Sequence, residues 1–298
     1  MSKRTGIMLC YPLEEKRLLN QIRGCHWTWP VLVQPKLDGE RCRAKDGSQL
    51  LSSEGNSFNH CVPHLLQKYQ EICVRVGFSP ELDGELYNHG LTFEEIHSRV
   101  STSRLTAHED ASTIKYHVFD LIDQYLSQTQ RLQFLTLLKM ENPLVLVPTY
   151  KANNLDHIKM YLEKFYSNGY EGIIIREQHN KYIRRRSNMI LKFKPKKTDE
   201  YQIVGVQEEL TLENHPKGIL GSLLCEKDGQ IFATGSGTLT NEQKKTLWKQ
   251  KDDLVGKICR VWYQSITAEK KVPKFISKIK ILEKSTEQSP INPFLDIN

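Results

Sequence analysis

Lys36-Leu37-Asp38-Gly39-Glu40-Arg41 decides how this chain is read. The pattern is K-x-D-G-x-R. Asp-Gly is a favoured turn pair, so a plain surface β-turn fits the same residues. The preceding run, Pro30-Val31-Leu32-Val33, reads as a strand that delivers Lys36 to a loop. A lysine placed there becomes a nucleophile once burial or nearby cations strip its proton. Attack on phosphorus would give a phosphoramidate. Arg41 would then touch a phosphate or sugar, and Asp38 would hold a metal or position the loop.

Other segments carry compatible chemistry. In Glu81-Leu82-Asp83-Gly84-Glu85-Leu86-Tyr87, alternation puts Glu81, Asp83 and Glu85 on one strand face. That face suits a hard cation, which takes a few carboxylates with phosphate oxygens and water. A solvated acidic edge would look the same. Glu171 follows a helix-like run and opens the buried strand Ile173-Ile174-Ile175. In Leu191-Lys192-Phe193-Lys194-Pro195, Lys192 and Lys194 share a face, as a phosphate clamp would need. An edge strand with gatekeeping lysines also fits. Arg184-Arg185-Arg186 is a basic cluster, solvated or facing nucleic acid. Phe119, in the strand-like run Lys115 to Ile122, is a core residue or a platform for stacking a purine.

The bulk numbers bound the class. The chain has 298 residues, 39% hydrophobic and 26% charged, which suits a globular protein of one large domain or two ordinary ones. A net charge of +7 favours a polyanionic partner. The cysteines, 7 in number, form no C-x-x-C, which removes zinc-ribbon and redox readings and suits a reduced compartment. No apolar run approaches the roughly 20 residues of a membrane span, and Met1 to Met8 lacks a signal-peptide core. The expectation is a protein that meets no membrane and works inside the cell that makes it, in the cytoplasm or nucleoid.

Thr92 to Glu95 is a capping box before the amphipathic stretch Phe93 to Val100. Asn154 to Asn168 reads as a helix with Leu155, Ile158, Leu162 and Phe165 on one face. Pro195-Lys196-Lys197-Thr198, polar and basic after a strand-like run, reads as a domain boundary and linker. Beyond it, Leu220 to Cys225 and Gln230 to Thr234 flank the turn pair Asp228-Gly229, a hairpin signal. Thr240 to Gln243 is a second capping box, and Lys257 to Gln264 and Lys274 to Leu282 alternate. Such a run suits a small Greek-key barrel, or the β-rich end of one continuous domain.

Together these segments resemble the covalent nucleotidyltransferase superfamily: ATP-dependent DNA ligases, RNA ligases and mRNA capping enzymes. Lys36 to Arg41 resembles the nucleophile motif, and Glu81 to Tyr87 the third motif. Val118 to Leu121 resembles the aromatic motif, Tyr170 to Arg176 the E-G motif, and Leu191 to Lys194 the paired-lysine motif. Lys181-Tyr182, Arg186-Ser187 and Gly221-Ser222 add likeness to the minimal viral and phage DNA ligases. The resemblance implies an α+β fold. A nucleotidyltransferase (ATP-grasp-like) domain of antiparallel sheets and helices, residues 1–195, would precede a small β-barrel OB-fold, residues 196–298. It implies that Lys36 takes AMP from ATP with Mg2+. Gln34, Arg41, Glu85, Phe119, Glu171, Arg186, Lys192 and Lys194 would line the AMP site. Phe119 would stack on adenine, Glu85 bind ribose, and Gln34 stand where many relatives have a base-contacting glutamate. Asp38, Glu85 and Glu171 would hold metal, and Lys278 and Lys280 would form the closing motif. The implied partner is nicked duplex DNA, met by a monomer in replication, repair or recombination, and a virus or phage source fits.

Departures from the pattern are visible. Ser52-Ser53-Glu54-Gly55 stands where Ser-Arg is usual. Lys278 and Lys280 stand where arginine is usual, with no Asp-x-Lys after them, and lysine cannot copy a bidentate arginine contact. The Gln207 to Gly218 loop is short where some viral relatives carry a DNA-clasping insertion. The rival readings are an RNA ligase, a capping guanylyltransferase, and a non-catalytic OB-fold protein that binds nucleic acid.

Overall fold

The chain divides between Lys194 and Pro195 into two units with separate cores. The structure is a computed structural model; it describes residues 6–282 apart from 105, 196, 238, 264, 268–270 and 275, with no side chain at 265.

The first unit runs β1 (Leu9–Pro12), α1 (Glu15–Leu18), β2 (Val31–Lys36), β3 (Glu40–Lys45), β4 (Gln49–Ser52), α2 (Pro63–Val76) and β5 (Leu82–Tyr87). It continues through α3 (Phe93–Val100), β6 (Lys115–Leu121), α4 (Gln128–Leu137), β7 (Leu144–Leu146) and β8 (Tyr150–Ala152), then α5 (Leu155–Ser167), β9 (Gly172–Arg176) and β10 (Arg186–Phe193). The strands form two sheets, ordered β1-β10-β9-β2-β8 and β4-β3-β5-β6-β7. Pairing is antiparallel except for β1 with β10 and β6 with β7, which run parallel.

Local chemistry explains the helices. The Thr92 side chain accepts from Glu95 N while Glu95 reaches back to Thr92 N, so the capping box that opens α3 is formed. Asn154 caps α5 through His157 N, and Ile158, Leu162 and Phe165 bury its apolar face. That face lies on β2, β8 and β9. The second sheet buries Tyr116, Val118, Leu82 and Leu86 against Leu65, Tyr69 and Ile72 of α2 and Ile96 of α3.

The two sheets are joined by buried charge. Asp83 and Asp120 are cross-strand partners in β5 and β6, and both are wholly buried. Asp83 accepts from Arg41 Nε and Nη2, each at 2.6 Å, and from Tyr182 Oη at 2.5 Å. Asp120 accepts from Arg131 Nε at 2.7 Å and from Arg176 Nη1 at 2.8 Å. Arg176 belongs to the first sheet and Asp120 to the second, so the pair pins one sheet to the other. The acidic face expected at 81, 83 and 85 is thus divided: Asp83 is sealed in ion pairs, and Glu81 pairs with Arg184 and Arg43.

The second unit holds β11 (Lys197–Leu210), β12 (Pro216–Lys227), β13 (Gln230–Ala233), α6 (Asn241–Lys249), β14 (Ile258–Tyr263), β15 (Ser265–Ile266), β16 (Pro273–Lys274) and β17 (Lys278–Leu282). The sheet order is β13-β12-β11-β14-β17, with β15 and β16 as a separate ladder. Every pair is antiparallel. Among the described residues the sheet stays open, with β13 and β17 at its edges, so the unit is OB-like without a closed barrel. Tyr201, Ile203, Leu220, Leu223, Cys225, Cys259 and Val261 make its core, with Leu247 and Trp248 of α6 packed against it. The expected hairpin is present: Asp228 (φ 47°) and Gly229 (φ 78°) make the turn between β12 and β13, a conformation that favours glycine. The Thr240 capping box opens α6.

Two expectations are corrected here. Lys197 and Thr198 are not a free linker: they already pair with Tyr263 and Trp262 in the sheet, and Pro195 is buried. The Gln207 to Gly218 segment is mostly strand, because β11 and β12 keep pairing out to Leu210 and Pro216. Residues after 282, where the family pattern places an Asp-x-Lys pair, lie outside the described residues, as does Gln264.

Replacing Asp120 by alanine would leave Arg131 and Arg176 buried without their carboxylate. The expected loss is about 3–5 kcal/mol of unfolding free energy, read by urea denaturation. A loss under about 0.5 kcal/mol would show that this pin carries little of the fold.

Candidate active site

The register of the first sheet sets three functional rungs. Leu32 pairs with Arg176, and Arg176 with Ile190; Gln34 pairs with Ile174, and Ile174 with Lys192. Lys36 pairs with Gly172, beyond which lies Lys194. Alternation then points Gln34, Lys36, Ile174, Arg176, Ile190, Lys192 and Lys194 to one side, and all of them line one cavity of about 370 Å3. From the second sheet come Arg41, Glu85 and Phe119, with Ser53 just beyond β4. Met8, Leu9 and Cys10 close another wall.

Lys36 is the last residue of β2, and its carbonyl accepts from Glu171 N at 3.1 Å. That bond seats the Glu171 carboxylate against the Lys36 ammonium, and Lys194 reaches the other oxygen of the same carboxylate. One carboxylate thus bridges two lysines. Gly39 follows because the loop crosses β5 closely: a Cβ there would meet Leu86 O at 2.2 Å. This close approach is why the K-x-D-G pattern needs its glycine.

Phe119 reaches the cavity through a β-bulge. Asp120 pairs with Asp83 and Val118 with Gly84, so Phe119 is the extra residue without a partner on β5. The guanidinium carbons of Arg41 and Arg176 lie 4.6 and 5.3 Å from its ring centre, within cation–π range.

Charge is tuned by the same packing. Burial pushes Glu85 up to about 7; Arg41 and Lys36 oppose the shift, and Asp83 and Glu40 add to it. Burial lowers Lys194 to about 8, and the charge of Lys36 pushes the same way. For Arg41 burial works against the charged form, but the Asp83 carboxylate more than offsets it and the guanidinium is held charged.

The structure does not bring every expected residue together. Arg186 is exposed and outside the cavity lining; it donates to Cys10 O and stands 5.3 Å from the Tyr11 ring. Gln34 lines the cavity, but its side-chain amide is spent on protein groups. Glu54 is exposed on the turn after β4, and the cavity wall stops at Ser53. Asp38 and Glu171 line a neighbouring recess of about 330 Å3 with Tyr87 and His89, whereas Glu85 lines the main cavity. Among the described residues no three metal-ligating side chains form a cluster, so the protein alone holds no full cation shell. Magnesium does not require one, because it takes one or two carboxylates and fills the remainder with phosphate oxygens and water. Glu171 suits that demand: its Oε2 is buried and, though it touches Lys36, accepts no hydrogen bond of good geometry. Lys278 and Lys280 stand on β17 opposite Trp262 and Arg260, and Lys278 Nζ lies 4.9 Å from the Trp262 ring.

Sequence reasoning missed Arg176 and the wall at Met8 to Cys10. Arg176 was within reach, since it follows Ile174 at the strand period of two. The wall was not, because it depends on the parallel pairing of β1 with β10.

Three lysines on one sheet and an aromatic wall on the other make a cleft whose chemistry suits a nucleoside phosphate. Residues 14–194 match the model of the ATP dependent DNA ligase domain, and residues 213–281 that of the DNA ligase OB-like domain. The chain is 24% identical to the DNA ligase of Haemophilus influenzae over 253 residues, which is 82% of this chain and 84% of that one. It is 24% identical to the DNA ligase of enterobacteria phage T4 over 322 residues, covering 87% of this chain and 64% of the phage protein. Among solved structures, a Lig E DNA ligase superposes with a TM-score of 0.66 at 22% identity, covering 93% of this chain and 99% of that one. The first model spans more than half of the chain, which therefore belongs to the ATP-dependent DNA ligase family and is an enzyme of that type. These matches do not favour the RNA-ligase, capping or non-catalytic readings.

Because Glu85 titrates near 7 in the folded chain and near 4.5 when unfolded, its contribution to stability is full below 4.5 and is lost as pH rises through 7. Glu85→Gln removes that loss. The nucleotide-free variant should therefore gain stability relative to the parent chain on going from pH 5 to pH 8, read by thermal unfolding. An unchanged difference would place Glu85 in water rather than in a desolvated wall.

Proposed function

We propose that this chain seals 3′-OH/5′-phosphate nicks in duplex DNA through a covalent AMP on Lys36. Lys36 Nζ attacks the α-phosphorus of ATP. The P–N bond forms as the bond to the bridging oxygen breaks, pyrophosphate leaves, and the amine gives up its proton. The AMP then passes to the 5′-phosphate of a nick, forming a pyrophosphate linkage and freeing Lys36. The 3′-hydroxyl attacks that 5′-phosphorus, the phosphodiester forms, and AMP departs. Each step displaces one oxygen or nitrogen at phosphorus, so the protein's part is positioning and charge neutralisation.

The observation that carries this reading is the convergence of Lys36, Lys192 and Lys194 in the cavity walled by Phe119. Lys192 and Lys194 would neutralise the α-phosphate, Glu85 and Arg41 would take the sugar, and Phe119 would stack on the base. Asp38 and Glu171 would hold Mg2+, which when bound offsets phosphate charge. Lys278 and Lys280, exposed on one face of the edge strand β17, would supply the closing cations. The charge of +7 supports a duplex partner. We extend the reading to a monomer acting inside the cell that makes it, where nicked duplex DNA is found. Among the described residues no helix is long and apolar enough to cross a membrane.

Lys36→Ala should take up no label from ATP, while the parent chain is labelled and seals a 5′-labelled nicked duplex with ATP but not with GTP or NAD. A labelled variant would remove Lys36 from its role. Lys194→Met should keep the fold and slow self-adenylylation by about 10²–10³, followed in single-turnover labelling.

A further inference from the structure

Gln34 lines the cavity two residues before Lys36, yet its surroundings leave it little to offer a base. It is 1% exposed. Its Oε1 accepts from Arg176 Nε at 2.8 Å. Its Nε2 donates to Phe119 O at 3.1 Å and to Thr149 Oγ1 at 2.9 Å. The amide orientation is fixed by chemistry, because a guanidinium only donates and a carbonyl only accepts. Both amide protons are therefore committed to protein acceptors.

The carbonyl that Gln34 holds belongs to the bulged residue. A bulge leaves its extra residue outside the ladder, and the backbone there must find another partner. Gln34 reaches across from β2 in the first sheet to supply it in the second. The residue so fixed is the aromatic wall of the cavity.

We propose that Gln34 is a positioning residue: it replaces the ladder bond missing at the bulge, fixes Phe119 for stacking, and does not read the base. This rests on the reading that the purine of ATP stacks on Phe119. A glutamate at 34 would be worse than glutamine in this chain. It would keep the bond from Arg176 but set a carboxylate oxygen against the Phe119 carbonyl, with no proton between them. The role depends on amide donors, so neither an apolar side chain of the same length nor a carboxylate replaces it.

The test uses the full chain carrying Lys36→Met, so that bound nucleotide stays intact, and measures equilibrium binding of ATP and of GTP. Gln34→Met and Gln34→Glu should each weaken ATP binding by about tenfold, the worth of the one buried hydrogen bond, to Phe119 O, that bears on the ring. The preference for ATP over GTP should not change. Adding Gln34→Met to Phe119→Leu should cost nothing further, because Gln34 acts through that ring. Losses that add would overturn the proposal, as would a changed ATP-to-GTP preference, which marks a base contact, or a tolerated Gln34→Glu. Thermal unfolding of each variant shows that it folds; if Gln34→Met does not, the cycle is run with Gln34→Glu. No ATP binding by the Lys36→Met parent would overturn the ATP site itself, a different outcome from any of these.

Discussion

Two carboxylates face each other across adjacent strands, where like charges repel, and neither is reached by water. The fold tolerates Asp83 and Asp120 because three guanidiniums converge on them. Arg41 comes from the neighbouring strand, Arg131 from α4 and Arg176 from the other sheet. A buried pair of this kind adds little net stability, but losing one member costs much, because the survivor is left charged and dry. What the arrangement supplies is position. The sheets that carry the lysines and the aromatic wall can approach only as these ion pairs allow, so the width of the cleft is set behind it.

The chemistry of the cleft follows from that geometry. One sheet presents lysines on successive rungs and the other an aromatic ring and a carboxylic acid. Neither sheet alone could hold both ends of a nucleotide. Glu171 serves two lysines at once, which leaves a surplus of positive charge at one point. A polyphosphate removes that surplus. The same packing that dries the wall raises Glu85 and lowers Lys194.

Much of this was legible in the sequence, and the reasons are local. The capping boxes at Thr92 and Thr240, the helix after Asn154 and the Asp228-Gly229 turn each depend on residues a few positions apart. So does the delivery of Lys36 by an apolar strand. Strand alternation also put Lys192 and Lys194 on one face. It could not say what that face meets. Asp83 and Glu85 share a strand face by period, yet one is locked by Arg41 and Tyr182 while the other lines the cavity. Arg186 is close in sequence to Lys192, but the shifted register of β1 against β10 brings it over Tyr11 instead. At Pro195 to Thr198 composition alone suggested a linker; pairing with β14, more than 60 positions away, overrides it.

The bulge at Phe119 shows why such partners escape a linear reading. A strict period of two would alternate His117, Phe119 and Leu121 on one face and bury Val118 and Asp120 on the other. The extra residue breaks that count, since Leu121 pairs with Leu82 and is buried while Phe119 faces the cleft. Nothing within β6 announces the break; the repair comes from Gln34, far off in the chain. A polar residue buried in the middle of an apolar strand is therefore informative. Val31-Leu32-Val33-Gln34-Pro35 would pack more simply with an apolar residue at 34, and burying an amide is costly unless its donors and acceptor are all used. They are, and two of the three partners, Arg176 and Phe119, belong to the cleft wall or to the ion pairs behind it.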